Sequence, residues 1–572
     1  MRRTAFMGGW RAVLMARSGG NVSTLDLRNV PSGTQLDADL ALVGAGPTGL
    51  ALAREFSGTR LRILLVESGG VDFDPEVQTL NRVENIGDPN ARDAMPLQRG
   101  YTGDLAWLND IPAFELRNRM VGGSTHTWVG KCAAFDDIDF DARKWVPDSG
   151  WPLQRRDLTD VLDRAAALLN LGPNIYDRAL YHRLVSPPAD IDLNDDLVRT
   201  FFWQFSHRIK GSEPLRFADI ARGLTAGNID ILTHATVTRI GLSENGRRVE
   251  ALDVKSLSGA KAVIRAPVIV LCGGGIENAR MLLASRDVAA KGIGNDHDCV
   301  GRYLADHPRT VIARFGKETL QDVAEHFGFY GLSHNRRTHF YLRGLALSPR
   351  LQAREGLLNC ATYPVQVLAP NDPWLALKRF YSGNRRFRLD DLRTALAAPG
   401  GLAAGLHRRL IMKRGLPRQL TELRFDAMAE QRPNRDSRVT LSSLRDQLGI
   451  PLARVDWKIG WAETASVARL AELISAEFWR VGLPQPKLEP WVLDEDFRNA
   501  PFSDMAHPAC TTRMGDDPAT SVVDRNARVH GVEGLYVAGS SVFPTAGHAN
   551  PTLMIIAMTL RLADHLKTRL LA

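Results

Sequence analysis

The chain has 572 residues, 44% apolar and 24% charged; these are ordinary values for a globular protein, and the length implies one very large domain or two to three interleaved ones. No stretch approaches the ~18 uninterrupted apolar residues of a membrane span. Five scattered cysteines (Cys132, Cys272, Cys299, Cys360, Cys510) form neither a CxxC pair nor an even framework, which argues against a disulfide scaffold or a zinc site and for a cytoplasmic location.

The N-terminus, "MRRTAFMGGWRAVLMARSGG", places Arg2-Arg3 before a short apolar stretch, as a twin-arginine export signal does, but Arg11 and Arg17 interrupt that stretch. A disordered basic leader is the expectation.

The first ordered unit is "ADLALVGAGPTGLALAREF", Ala38–Phe56. Leu40–Val43 fits a buried parallel strand, Gly44, Gly46 and Gly49 form G-x-G-x-x-G, and a helix follows. The next strand, Leu61–Glu67, ends in an acid 21 residues after Gly46. Gly44 allows the tight turn, Gly46 lets backbone approach a pyrophosphate, and Gly49 lets helix and strand pack closely. Phosphate sits at the helix start, and Glu67 accepts the ribose hydroxyls. An acid at this position disfavours a 2′-phosphate, and so NADP, and leaves NAD and FAD open.

"RMVGGSTHTWVGKCAAFDDIDFDARKW" (Arg119–Trp145) puts two glycines before small hydroxyl residues, backbone able to lie against a flat ring. Asn228–Ile240 reads as two short strands and a turn, and Ala262–Ser285 as strand, glycines and helix again. Between Lys378 and Arg418 stand eleven basic residues against Asp390 and Asp391, so the net charge of +8 is local to this segment. It is expected to be a solvated insertion, with a helical hairpin touching an anionic membrane surface or a partner subunit as the alternative. No stacking platform or nucleic-acid module appears. Near the end come "AHPACTTRMG" (Ala506–Gly515), "VVDRNARVHGVEGLYVAGSSVFPTAGHANPT" (Val522–Thr552) and a final helix, with Asn550 suited to the N-cap and Pro551 to the first turn. That helix start carries about half a positive charge and unpaired N–H groups, a place to hold an anion. Both chain ends resemble dinucleotide-domain parts, so that domain is expected to be discontinuous.

These blocks together resemble the glucose–methanol–choline (GMC) family of FAD-dependent oxidoreductases. The matches are the G-x-G-x-x-G unit with Glu67, "GGST" (Gly122–Thr125), "GGIENAR" (Gly274–Arg280), "VGRYLADHP" (Val300–Pro308), "HPACTTRMG" and "VFPTAGHANPT". Glu430–Leu441 and Gly449–Trp457 are similar to the sheet closing the substrate side in the pyranose-oxidase and sugar-dehydrogenase branch. The resemblance implies an α/β fold, a doubly wound Rossmann-like FAD domain with an inserted α+β substrate part built on a six-stranded antiparallel sheet. The expected boundaries are 36–150, 216–312 and 503–572 for the FAD domain, and 151–215 and 313–502 for the substrate domain, with a basic insertion at 375–420.

It further implies oxidation of an alcohol, with a sugar, glycoside or cyclitol as the expected substrate, by hydride transfer to flavin N5. His507 is the expected base and Asn550 a hydrogen-bond partner of the substrate oxygen, with His548 as the rival base. Cofactor contacts are carried onto Gly122, Gly123, Ser124, Thr125, His126, Val237, Gly539, Ser540, Asn550, Pro551 and Thr552, beside Gly44, Gly46, Gly49 and Glu67. His126 stands one place earlier than the flavin-linked histidine of this branch, so covalent attachment is not favoured. Gly539 stands where many members have Asp, and Ser540 or backbone N–H groups take over. Cys510 is read as packing. Oxygen, a quinone or another carrier remains open as acceptor, and a homo-oligomer is possible. No haem or iron–sulfur cysteine set is present. The alternatives are a sterol-type alcohol substrate, a non-catalytic nucleotide-binding subunit and an NAD dehydrogenase.

Overall fold

Four-residue strands made only of buried apolar side chains, Leu40–Val43, Ile63–Val66 and Val268–Leu271, need cover on both faces, and they find it in a parallel sheet. The computed structural model describes residues 23–87, 117–211, 213–382, 389–493 and 500–572. The leader and three of the basic residues, Arg385, Arg386 and Arg388, lie outside the described residues. The sheet has six parallel strands in the order Ser23–Asp26, Ile229–Thr233, Ile63–Val66, Leu40–Val43, Val268–Leu271, Leu535–Val537. It therefore draws on the start, the middle and the end of the chain. Its edge strand Ser23–Asp26 precedes residue 36, where the sequence places the beginning of this unit. The helix Pro47–Glu55 covers one face together with Thr552–Leu571, which packs on it and on Thr159–Leu168.

Asn228–Ile240 forms two strands as expected, but they serve two sheets. Ile229–Thr233 joins the parallel sheet, and Thr236–Leu242 enters a four-stranded sheet with Val249–Lys255, Lys261–Arg265 and Thr34–Asp37. The larger sheet is antiparallel and has eight strands, not six. Its path runs Lys487–Leu488, Arg309–Arg314, Leu420–Ala429, Cys360–Leu368, Arg337–Leu347, Val198–Phe205, Lys131–Cys132, and Phe329–His334 also pairs with Arg337–Leu347. Both outermost strands are two residues long, too short to leave a periodic pattern in sequence. The strands Arg438–Arg445 and Pro451–Asp456 are not part of this sheet. They pair with each other, and Pro451–Asp456 pairs with Val83–Asn85, in a separate three-stranded sheet beside the helix Gly274–Ala284.

The basic segment folds as three helices, Pro373–Ser382, Leu389–Leu396 and Pro399–Leu410. Much of its charge is tied down rather than solvated. Arg379 pairs with Asp391, Arg408 and Arg414 with Glu325, and Arg418 with the buried Asp372, while Arg409 stacks 3.5 Å from the centre of the Phe340 ring. No helix among the described residues is long and apolar enough to cross a membrane. All five cysteines are free and buried.

Candidate active site

The three glycines of the first turn divide their work as spacing predicts. Gly44 has φ +107, and a Cβ there would lie 3.0 Å from the Cys272 carbonyl oxygen. A Cβ on Gly49 would lie 2.0 Å from the Gly44 oxygen, so only glycine lets helix and turn touch. A Cβ on Gly46 would meet nothing within 4 Å, because the backbone there faces open space. That space is a cavity of about 330 Å³.

The parallel sheet, the four-stranded sheet and the edge of the antiparallel sheet all contribute to its wall. From the first turn come Gly44, Gly46 and Glu67; from the middle, Gly123, Ser124, Thr125 and Val237; from the end, His507, Gly539, Ser540, Asn550, Pro551 and Thr552. The helices beginning at Pro47, Gly274 and Thr552 all open onto it, and none of the three is capped by a side chain. Three uncapped helix starts in one cavity form a donor set for an anionic ligand, each contributing ~0.3–1 kcal/mol per charge. The Oδ1 atoms of Asn118 and Asn550 are buried there without a hydrogen-bond partner. Open glycine backbone, uncapped helix ends and unpaired polar atoms fit a bound dinucleotide.

Glu67 is buried and accepts from the backbone N–H of Ala45 (2.8 Å) and Gly69 (2.9 Å). Burial raises its pKa. Farther along the wall Arg117, Arg119 and Arg280 surround Glu277. Burial works against that charge, but the arginines outweigh it and hold the carboxyl down to about 2. Neither Arg117 nor Arg119 carries a motif role in the sequence.

The final helix starts one residue later than expected. Pro551 holds the cap position, the helix runs Thr552–Leu571, and Asn550 caps nothing. Its side chain is free for the cavity, 3% exposed and with its carbonyl unpaired.

His507 reaches the cavity on a loop that is pinned twice. The buried Asp306 accepts the N–H of His507 (2.7 Å), Met505 and His307, and Ser540 Oγ donates to the Pro508 carbonyl (2.7 Å). His507 Nδ1 lies 2.9 Å from His307 Nδ1, and His307 Nε2 lies 3.2 Å from the Ala546 carbonyl oxygen. That oxygen only accepts, so His307 Nε2 carries a proton. Burial pushes His307 down to about 4, so the ring is neutral near pH 7 and its Nδ1 is a lone pair. His507 therefore donates from Nδ1 and keeps its lone pair on Nε2. Burial, with His307 and Lys131 nearby, holds His507 well below the ordinary histidine value. Asp306 and His307 lie in the quoted "VGRYLADHP" block, yet only folding brings them to a loop 200 residues away.

Four expected site residues lie elsewhere. His548 is fully buried against the Phe201 and Trp203 rings, 3.8 Å from Asp136, and does not line the cavity. Burial pushes it down to about 3. His126 does not line the cavity, and its Nε2 lies 2.8 Å from the Val121 carbonyl oxygen. Gly122 also stays behind the wall and donates its N–H to Ala45 (2.8 Å). Gly49 does its packing work outside the cavity. Cys510 is buried and its thiol is pushed up to about 12, which makes it inert. Lys131, unassigned in sequence, lines the cavity.

Two family models described as GMC oxidoreductase match residues 218–309 and 433–559. Paromamine 6'-oxidase of Streptomyces fradiae is 34% identical, with 92% of this chain and 90% of that protein aligned. C-glycoside 3-oxidase of Microbacterium trichothecenolyticum is 25% identical, over 93% of this chain and 97% of that one. In three dimensions the chain is similar to formate oxidase, with TM-score 0.52 and 16% identity, covering 94% of this chain and 99% of that one. With a relative 34% identical along nine-tenths of its length, this chain belongs to the GMC oxidoreductase family and is an oxidoreductase acting on an alcohol group.

Proposed function

We propose that the chain is an FAD-dependent enzyme that oxidises a CH–OH group of a sugar, glycoside or cyclitol to the carbonyl, with His507 as the base. The observation that carries this reading is the chain of contacts from His507 Nδ1 to His307 Nδ1 (2.9 Å) and from His307 Nε2 to the Ala546 carbonyl oxygen (3.2 Å), which leaves Nε2 of the cavity-lining His507 as the lone pair. When bound, FAD supplies the acceptor for the hydride that leaves the alcohol carbon. Gly44, Gly46 and Glu67 would hold its nucleotide part, and the Thr552 helix start would favour an anionic ring edge.

The remaining work falls to the chain. His507 Nε2 takes the hydroxyl proton, and the Nδ1–H of the resulting imidazolium keeps its bond to the His307 lone pair, now charge-assisted. Asn550, whose side-chain amide reaches the cavity, donates from Nδ2 to the substrate oxygen. The preference for a sugar-like alcohol is supported by the relatives named as a C-glycoside 3-oxidase and a paromamine 6'-oxidase.

The test is an anaerobic screen of sugars, glycosides, cyclitols and a sterol against the purified yellow protein, followed by admission of air. Bleaching by polyols supports the reading, and reoxidation in air then separates oxygen from a quinone or carrier as acceptor. A colourless protein unable to take up FAD, or bleaching by the sterol alone, overturns it.

A further inference from the structure

Lys131 sits on the outermost strand of the antiparallel sheet, 7% exposed, among the residues lining the cavity that holds His507 and Asn550. Its ammonium carries three donors, and Nζ has no hydrogen-bond partner among the described residues. What it meets are two aromatic faces, Tyr363 at 3.1 Å and Trp203 at 4.4 Å from the ring centres. Such faces offset part of the cost of burying a cation but accept no hydrogen bond of ordinary strength.

The carboxylate whose charge acts on Lys131 is already engaged. Asp426 accepts from Arg309 (2.8 Å) and Arg424 (3.0 Å), Arg424 also lies 3.6 Å from Glu422, and at Lys131 the Arg309 charge outweighs that of Asp426. Burial, then Arg309, pushes the Lys131 amine well below its ordinary pKa, with Asp426 opposing. A buried amine with donors, no acceptor and surplus positive charge around it is complete only when a ligand brings the acceptor.

We propose that Lys131 recognises the substrate, and that the alcohol this cavity takes carries a carboxylate: a uronic acid or another sugar acid. The proposal rests on the reading of the chain as a sugar oxidoreductase. A hydroxyl can accept a bond from the amine but leaves the charge surplus standing. A carboxylate does both. An amino sugar adds a further cation beside Arg309 and is disfavoured.

The test uses the FAD-loaded protein and three matched alcohols, methyl glucuronide, methyl glucoside and methyl glucosaminide, with flavin reduction followed anaerobically. Wild type is expected to show the lowest KM for the glucuronide. Lys131→Gln should shrink the acid-over-neutral preference by about 10–100-fold, acting on KM rather than kcat, as loss of one hydrogen bond to a charged group implies. Lys131→Arg should restore much of it. A lower wild-type KM for the neutral or aminated glycoside overturns the assignment while leaving sugar oxidation standing, and this comparison decides even where the variants lose flavin. Equal loss on all three substrates in Lys131→Gln also overturns it. Reduction by none of the three, with reduction by a non-sugar alcohol, overturns both readings.

Discussion

At the residue scale the site turns on which nitrogen of His507 is free. The Ala546 carbonyl fixes the proton on His307 Nε2, and that choice propagates through the 2.9 Å bond to leave Nε2 of His507 as the acceptor. His307 is thus a positioning residue. His307→Leu removes the acceptor for the Nδ1–H and should lower kcat by about 10–100-fold with little change in KM. His307→Gln, whose amide oxygen can accept the same bond, should retain more. A KM effect equal to the kcat effect would assign His307 to binding instead. The pH dependence follows from the depressed His507. Its folded value lies below 6.5, so the lone pair persists as pH falls through 6.5 and the base is lost only in more acid solution. The pH profile of flavin reduction should therefore show no acid limb near 6.5. A limb there would place the base on an ordinary, solvated histidine. Of these residues, His507 and Asn550 were legible because the resemblance assigns each a part at the site, whereas the block that holds His307 assigns it none. His307 and Lys131 were not, since their meaning lies in contacts with Ala546, Tyr363 and Trp203, far away in sequence.

At the element scale, the glycine turn separates folding from binding. Gly49→Ala places a methyl 2.0 Å from a backbone oxygen and should yield little folded protein. Gly46→Ala meets no atom of the chain and should fold with near-normal Tm when FAD is absent, yet bind FAD more weakly, measured as visible absorbance per protein. A Gly46→Ala protein with full FAD content would remove the turn from the binding site. Strand–glycine–helix units are legible because period, turn residue and cap agree locally, as at Leu40–Glu55 and Val268–Ala284. The edge strand Ser23–Asp26 and the pair Lys131–Cys132 carried no such agreement; tertiary pairing alone makes them strands. The basic helices show the same limit. Charge was visible in sequence, but its neutralisation by Glu325 and Asp372 depends on packing.

At the scale of the whole molecule, strands from the start, the middle and the end of the chain belong to one parallel sheet, and their loops close on one cavity to which the antiparallel sheet adds Lys131. A ligand that bridges these parts binds only the folded chain. FAD at 100 times its Kd should thus stabilise the protein by about 2.7 kcal/mol, read as a rise in Tm of the FAD-stripped protein. An unchanged Tm would detach the cavity from the cofactor. The central claim is that this cavity joins a bound flavin to the free lone pair of His507. It is tested most directly by the anaerobic rate of flavin reduction in His507→Ala, with flavin content measured on the same sample. The variant should keep its flavin and lose about 10²–10⁴-fold in rate; reduction at the wild-type rate would contradict the claim.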